Sequence, residues 1–202
     1  MFPFMGVFIL LKETYVFIDA AYLSIISKHF GKGSYIPINI NQFAFLLAKA
    51  QGLWCTNVYY YVAPPFQSEP PTPEETIRRS KHDKFISKLR EIPNFYVREG
   101  RCQKVDGDYH QKGVDTLLTM DLMDVYAGGR IKSIIVVTCD TDFVPILNKL
   151  RSVNIEVILY YFNDYVRGSR FSMSNHILTA CDKYVLLDED MFTAAIRKKE
   201  ED

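Results

Sequence analysis

The stretch IIVVTCDTDF, residues 134–143, constrains the fold more than any other part of the chain. Four β-branched apolar residues, Ile134 to Val137, run without a polar break, which is the pattern of a strand buried on both faces. The run ends in Thr138-Cys139-Asp140-Thr141-Asp142, so two carboxylates one residue apart stand at its carboxyl end.

Similar runs recur. Tyr15–Ile18, Asn57–Val62, Phe95–Arg98, Glu156–Tyr160 and, more weakly, Tyr184–Leu187 read as further strands. Stretches of helical spacing separate most of them: Ala20–Phe30, Gln42–Ala50, Glu74–Arg90, Asp115–Tyr126, Asp142–Ser152 and Ser172–Cys181. Strands alternating with helices predict an α/β fold, a mainly parallel central sheet with helices on both faces. The polar segments Ala63–Pro73 and Arg101–Gln111 read as surface loops.

In open sheets of this kind ligands bind beyond the carboxyl ends of the strands. Asp19 ends the first strand, and Asp140 and Asp142 end the one that opened this section. If those strands are neighbours, their acids converge. Clustered carboxylates repel one another, and a hard divalent cation, Mg²⁺ or Mn²⁺, removes that cost with oxygen ligands. Asp115 is a further ligand candidate, because it follows Lys112-Gly113 at a junction from loop to helix. Each acid also has a plainer reading: Asp19 and Asp142 as helix caps, Asp115 as a first-turn acid facing the helix dipole. Asp121 sits within the apolar stripe Val114, Leu117, Leu118, Leu122, Val125, where a charge needs a partner; backbone donors and a metal are both open.

These pieces together resemble an NYN domain of the LabA type, within the PIN-like nuclease superfamily. The likeness rests on Phe17-Ile-Asp19, then Lys112-Gly-Val-Asp115 with Asp121-Leu122, then Thr138-Cys-Asp-Thr-Asp-Phe143, in that order, with Leu178-Thr-Ala-Cys-Asp182 similar to the family's closing helix. It spans roughly residues 15–187, leaving 1–14 as an N-terminal extension and 188–202 as a helical or disordered tail. The resemblance implies a three-layer α/β/α Rossmann-like sandwich and metal-dependent hydrolysis of RNA phosphodiesters. It implies that Asp19, Asp115, Asp140 and Asp142 are the catalytic and metal-binding acids, with Asp121 a further family acid. Thr138 and Thr141 stand where the family often has serine and are second-tier candidates for binding a phosphate or a metal-bound water. Two departures stand out: Tyr22 where the family often has Asn, and Cys139 where it has Gly.

The formal net charge is 0, so no global basic field announces RNA and contacts must be local. Lys112 beside Asp115, Arg98 and Arg101 after the third strand, and Arg167 and Arg170 after the fifth are the candidates. The 13 tyrosines dilute any single stacking assignment. The four cysteines are scattered and form no C-x-x-C, which argues against a zinc site and fits reduced thiols in a cytoplasmic protein. The apolar lead Met1–Leu11 is too short to span a bilayer, so no membrane partner is expected. A homodimer through an exposed apolar helix stays open. Two other functions compete with the nuclease: a catalytically weak domain that binds RNA or protein, and a glycosyltransferase using Asp140-Thr-Asp142 as a D-x-D motif, which leaves Asp19 and Asp115 unexplained.

Overall fold

The computed structural model describes residues 11–166, 169, 171 and 174–197. The N-terminal lead up to residue 10 and the candidate RNA contacts Arg167 and Arg170 lie outside the described residues.

A six-stranded sheet is the centre of the molecule. Its strands are β1 (Lys12–Asp19), β2 (Leu53–Val62), β3 (Phe95–Glu99), β6 (Ser133–Val137), β7 (Glu156–Tyr161) and β8 (Lys183–Leu186), in the order β3-β2-β1-β6-β7-β8. Every pairing in it is parallel. A separate antiparallel hairpin joins β4 (Arg101–Val105) to β5 (Asp108–Lys112).

Successive side chains point to opposite faces of a strand, and the core follows that period. Val16 and Ile18 of β1 pack on one face, with α1 (Ala20–Phe30), α2 (Ile40–Ala50), α3 (Pro73–Arg90) and Phe192 of α7 (Glu189–Ala194). Phe17 packs on the other, with α4 (Val114–Gly128), α5 (Val144–Ser152) and Ile177 of α6 (Asn175–Thr179). The result is the expected three-layer α/β/α sandwich. All of β6 is buried, which is why its sequence shows no alternation.

Helix boundaries follow local chemistry. Thr72 and Glu75 form a reciprocal capping box at the start of α3, with Pro73 in its first turn. Gly129, at φ 59°, closes α4 in the left-handed conformation.

Three expectations need correction. The polar segment 101–111 is not a plain loop. It is the β4–β5 hairpin, turning on Asp106 (φ 51°) and Gly107 (φ 91°) between the paired residues Val105 and Asp108. The helix expected from Asp142 is a 3-10 turn, Thr141–Phe143, followed by α5, and its cap is Asp140 rather than Asp142. The helix expected over 172–181 is described only at Asn175–Thr179.

Candidate functional site

The strand order reverses direction between β1 and β6, whose neighbours run β2-β3 on one side and β7-β8 on the other. At such a switch point the loops diverge to opposite faces and leave a crevice at the carboxyl ends. Asp19 ends β1, and residues 138–142 leave β6 beside it, since Ile18 pairs with Val137.

Backbone groups fix two of the acids. Asp19 Oδ1 accepts from the N–H groups of Ala21 (2.9 Å) and Tyr22 (3.2 Å), capping α1. Asp140 Oδ1 accepts from the Asp142 N–H at 2.9 Å, capping the 3-10 turn. The Asp140 N–H in turn donates to the buried Thr138 hydroxyl at 3.2 Å, so Thr138 shapes the loop that carries the acid. Among the described residues, neither Oδ2 of these two aspartates accepts a hydrogen bond. Capping and an open oxygen coexist on one side chain.

Asp115 comes from the other face of the sheet. It lies in the first turn of α4, whose cap is Gly113 in the left-handed region (φ 81°) and offers no side chain. Gly100 sets that corner. A Cβ there would lie 2.5 Å from the Lys112 carbonyl oxygen and 2.8 Å from Val114 Cγ2, so only glycine lets the chain after β3 pass the start of α4. Sequence reasoning missed Gly100; its signal is a lone glycine between two strands.

The acids feel one another. Desolvation, then the charges of Asp115 and Asp140, push the Asp19 carboxyl up to about 6, against backbone donors that pull it down. Asp115 is raised by desolvation and then by Asp140 and Asp142. Asp19, Asp115, Asp140 and Asp142 therefore form one electrostatic cluster, with Asp142 and Thr141 exposed at its mouth. None of the four makes an ion pair among the described residues. An all-oxygen donor set with mutual repulsion fits a hard divalent cation. Among the described residues no three acidic, His or Cys groups are already drawn together as a cage; Mg²⁺ ordinarily takes one or two carboxylates and keeps its waters.

Asp121 belongs elsewhere. Its buried carboxylate accepts from the Tyr61 hydroxyl at 2.7 Å and from Arg98 through two bonds, Nε at 2.8 Å and Nη2 at 2.7 Å. Side chains, not backbone donors or a metal, satisfy it. Arg98, a candidate phosphate contact, is thereby engaged by Asp121 through Nε and Nη2. Lys112 and Arg101 do come together: they are cross-strand partners at the open end of the hairpin, three residues before Asp115 in the case of Lys112.

The two departures from the family pattern have structural readings. The Tyr22 hydroxyl accepts from the Phe162 N–H at 2.7 Å, fastening α1 to the segment after β7. The Cys139 thiol is pushed up to about 11, first by desolvation and then by Asp19 and Asp140, so it stays protonated at neutral pH and is no nucleophile.

A parallel α/β/α sandwich with aspartates at its switch point is the setting, and the family match makes it a PIN-like domain of nuclease type. The chain belongs to the NYN domain family, which matches it over residues 13–188. The solved structure of a protein of unknown function, VPA0982 from Vibrio parahaemolyticus RIMD 2210633, is similar in fold: TM-score 0.59 and 16% identity, covering 89% of this chain and 95% of that one. At that identity the likeness speaks for the fold alone. No curated protein matches the chain. Among the described residues, no helix is long and apolar enough to cross a membrane.

Proposed function

We propose that this NYN domain is a Mg²⁺- or Mn²⁺-dependent ribonuclease that hydrolyses RNA phosphodiester bonds. The observation that carries the reading is the cluster of four aspartates at the switch point, mutually repelling and unpaired, with two of them held by backbone caps. Asp19, Asp140 and Asp115 would hold the cation. When bound, it supplies a Lewis acid that polarises a phosphate oxygen and lowers the pKa of a water.

The chain's own groups do the rest. The caps keep the Asp19 and Asp140 carboxylates from rotating, so their open oxygens are aimed before substrate arrives. Asp142, exposed at the mouth, accepts a proton from the attacking water or orients it. Lys112 and Arg101 hold the phosphate flanking Asp115 by charge-assisted hydrogen bonds.

The test is cleavage of labelled single-stranded and hairpin RNA by purified protein with Mn²⁺, Mg²⁺ or EDTA. Metal-dependent cleavage that Asp140→Asn lowers roughly 10²–10³-fold or more is the expected result. The asparagine keeps an oxygen acceptor for the cap, so the fold survives. Unchanged cleavage in pure Asp140→Asn protein sinks the assignment.

A second reading has its own observation. Tyr22, tied to Phe162, offers the acids no amide, which favours an RNA- or protein-binding module of weak catalytic power. Tight Mn²⁺ binding without turnover on any RNA would select it.

A further inference from the structure

A cavity of about 790 Å³ opens at the start of α1, the helix that Asp19 caps. It begins at Ala20 and Ala21, the first residues after that aspartate, and runs between α1 and α3. Its volume is in the range of about 300–1,000 Å³ typical of ligand sites. A smaller cavity of about 210 Å³ continues it, sharing Ala63, Pro65, Arg78 and Gln111. The two make one groove, walled by the proline-rich turn after β2 and by the β4–β5 hairpin.

The charge of this groove is one-sided. Residues 78, 81, 82 and 85 of α3 line it at spacing i, i+3, i+4, i+7, which places Arg78, Lys81, His82 and Phe85 on one helical face. Arg197 enters from the far end of the chain. No aspartate or glutamate lines either cavity. Among the described residues Arg78 and Lys81 have no ion-pair partner, while His82 is turned to Glu99 at 3.1 Å. Glu75, close to Arg78 in charge, gives its carboxylate to Ser68 and Thr72. Arg197 is held in place: its Nε donates to the Ile38 carbonyl at 3.0 Å and its guanidinium lies 5.4 Å from the centre of the Phe85 ring.

The groove is also continuous with the acids in electrostatic terms. The Tyr60 phenol on its floor is pushed up by burial and by Asp19, and pulled down by Arg197. At the rim Tyr35 is 59% exposed, with the Lys28 ammonium 4.6 Å from its ring centre. Cations that make no ion pair among the described residues, an exposed tyrosine ring and, at one end, the start of the helix that Asp19 caps are what a single-stranded polyanion with stacking bases requires.

We infer that the α1–α3 groove binds the single-stranded RNA adjoining the bond to be cut, with Arg78, Lys81 and Arg197 on its phosphates and Tyr35 under a base. This rests on the ribonuclease reading and adds the path the substrate takes to Asp19. Global neutrality is no obstacle, because the contacts are local.

The test is fluorescence anisotropy of labelled oligouridylate on the full chain in EDTA, so that no turnover intervenes, across a salt series. Arg78→Glu/Lys81→Glu is expected to bind at least roughly tenfold more weakly than wild type, and Lys132→Glu, at the opposite end of the sheet, to bind as wild type. The milder Arg78→Gln/Lys81→Gln pair guards against misfolding; losing two contacts should lower the salt slope by about 1.4, at about 0.7 per phosphate on single strands. Equal affinity and slope in both α3 pairs overturns the groove, and wild-type cleavage would then leave the ribonuclease reading standing. RNA held through the groove but uncut with either metal supports the groove and removes the ribonuclease. Wild-type protein with no affinity for oligouridylate overturns the groove outright.

Discussion

Two kinds of aspartate, one under the middle of α4 and the other at the carboxyl edge of the sheet, invite comparison. Asp121 is buried and fully compensated: one tyrosine hydroxyl and a two-pronged arginine satisfy both of its oxygens. Among the described residues Asp19, Asp115, Asp140 and Asp142 make no ion pair; backbone N–H groups bind Asp19 and Asp140, and neighbouring acids act on Asp19 and Asp115. The first arrangement is what a carboxylate needs to stabilise a fold. The second stores repulsion, which folding alone gives no reason to keep. The contrast separates an acid the fold has paired from four it has left unpaired among the described residues, and the proposed ribonuclease draws on the second kind.

The comparison breaks most sharply at Asp140. Asp140→Asn should abolish RNA cleavage yet leave the melting temperature unchanged or raised, since it removes one of the repelling charges and keeps the cap. A clear fall in melting temperature would place Asp140 with Asp121.

Asp121→Ala should do the reverse. It strands Arg98 and the Tyr61 hydroxyl, and the expected loss is about 3 kcal/mol, at the low end for a buried pair. Arg98 keeps 40% of its side chain in water, which moderates the cost. For a domain of this size that is roughly 6–12 °C in calorimetry.

The pH response sharpens the same contrast. Below about pH 4 the Asp19 carboxyl is protonated in folded and unfolded chains alike. As pH rises through about 6 the folded chain must ionise it where burial strips its water and, to a smaller extent, against Asp115 and Asp140, so stability present at low pH is lost. The shift corresponds to about 2–3 kcal/mol. Melting in EDTA from pH 4 to 7 should show that decline, and Asp19→Asn should flatten it. Mn²⁺ should restore stability at pH 7 in wild type and much less in Asp19→Asn.

The smallest effect is at Gly100. Gly100→Ala puts a methyl against the Lys112 carbonyl and Val114, at a cost of about 1–3 kcal/mol. It should reduce cleavage more than that loss explains, because the strained corner carries Asp115. Cleavage assayed well below the melting temperature separates the two effects.

Much of this was readable in the chain beforehand, for definite reasons. Strands buried on both faces declare themselves as apolar runs, so β6 and β7 were plain. Acids directly after such runs sit at the carboxyl edge whatever the strand order. The β4–β5 hairpin was hidden because nearly all its side chains face solvent, so no alternation marks it, although Asp106-Gly107 is a hairpin turn signal. The Arg98–Asp121 pair was invisible for another reason. It depends on how α4 lies across β2 and β3, a long-range fact that no local pattern encodes. The one-sided face of α3 shows the same limit, since its spacing is legible but the cavity it lines is not.

The caps on Asp19 and Asp140 have a last consequence. The hydrogen bonds that start a helical turn also aim a carboxylate, so folding and the proposed function at this corner share a single hinge pin. Local fraying of the first turn of α1 would swing Asp19 out of line while the rest of the sheet stayed intact. Heat should therefore silence the site before it melts the molecule. Glutamate at either position, equal in charge but one methylene longer, could not hold the helix and the aim together.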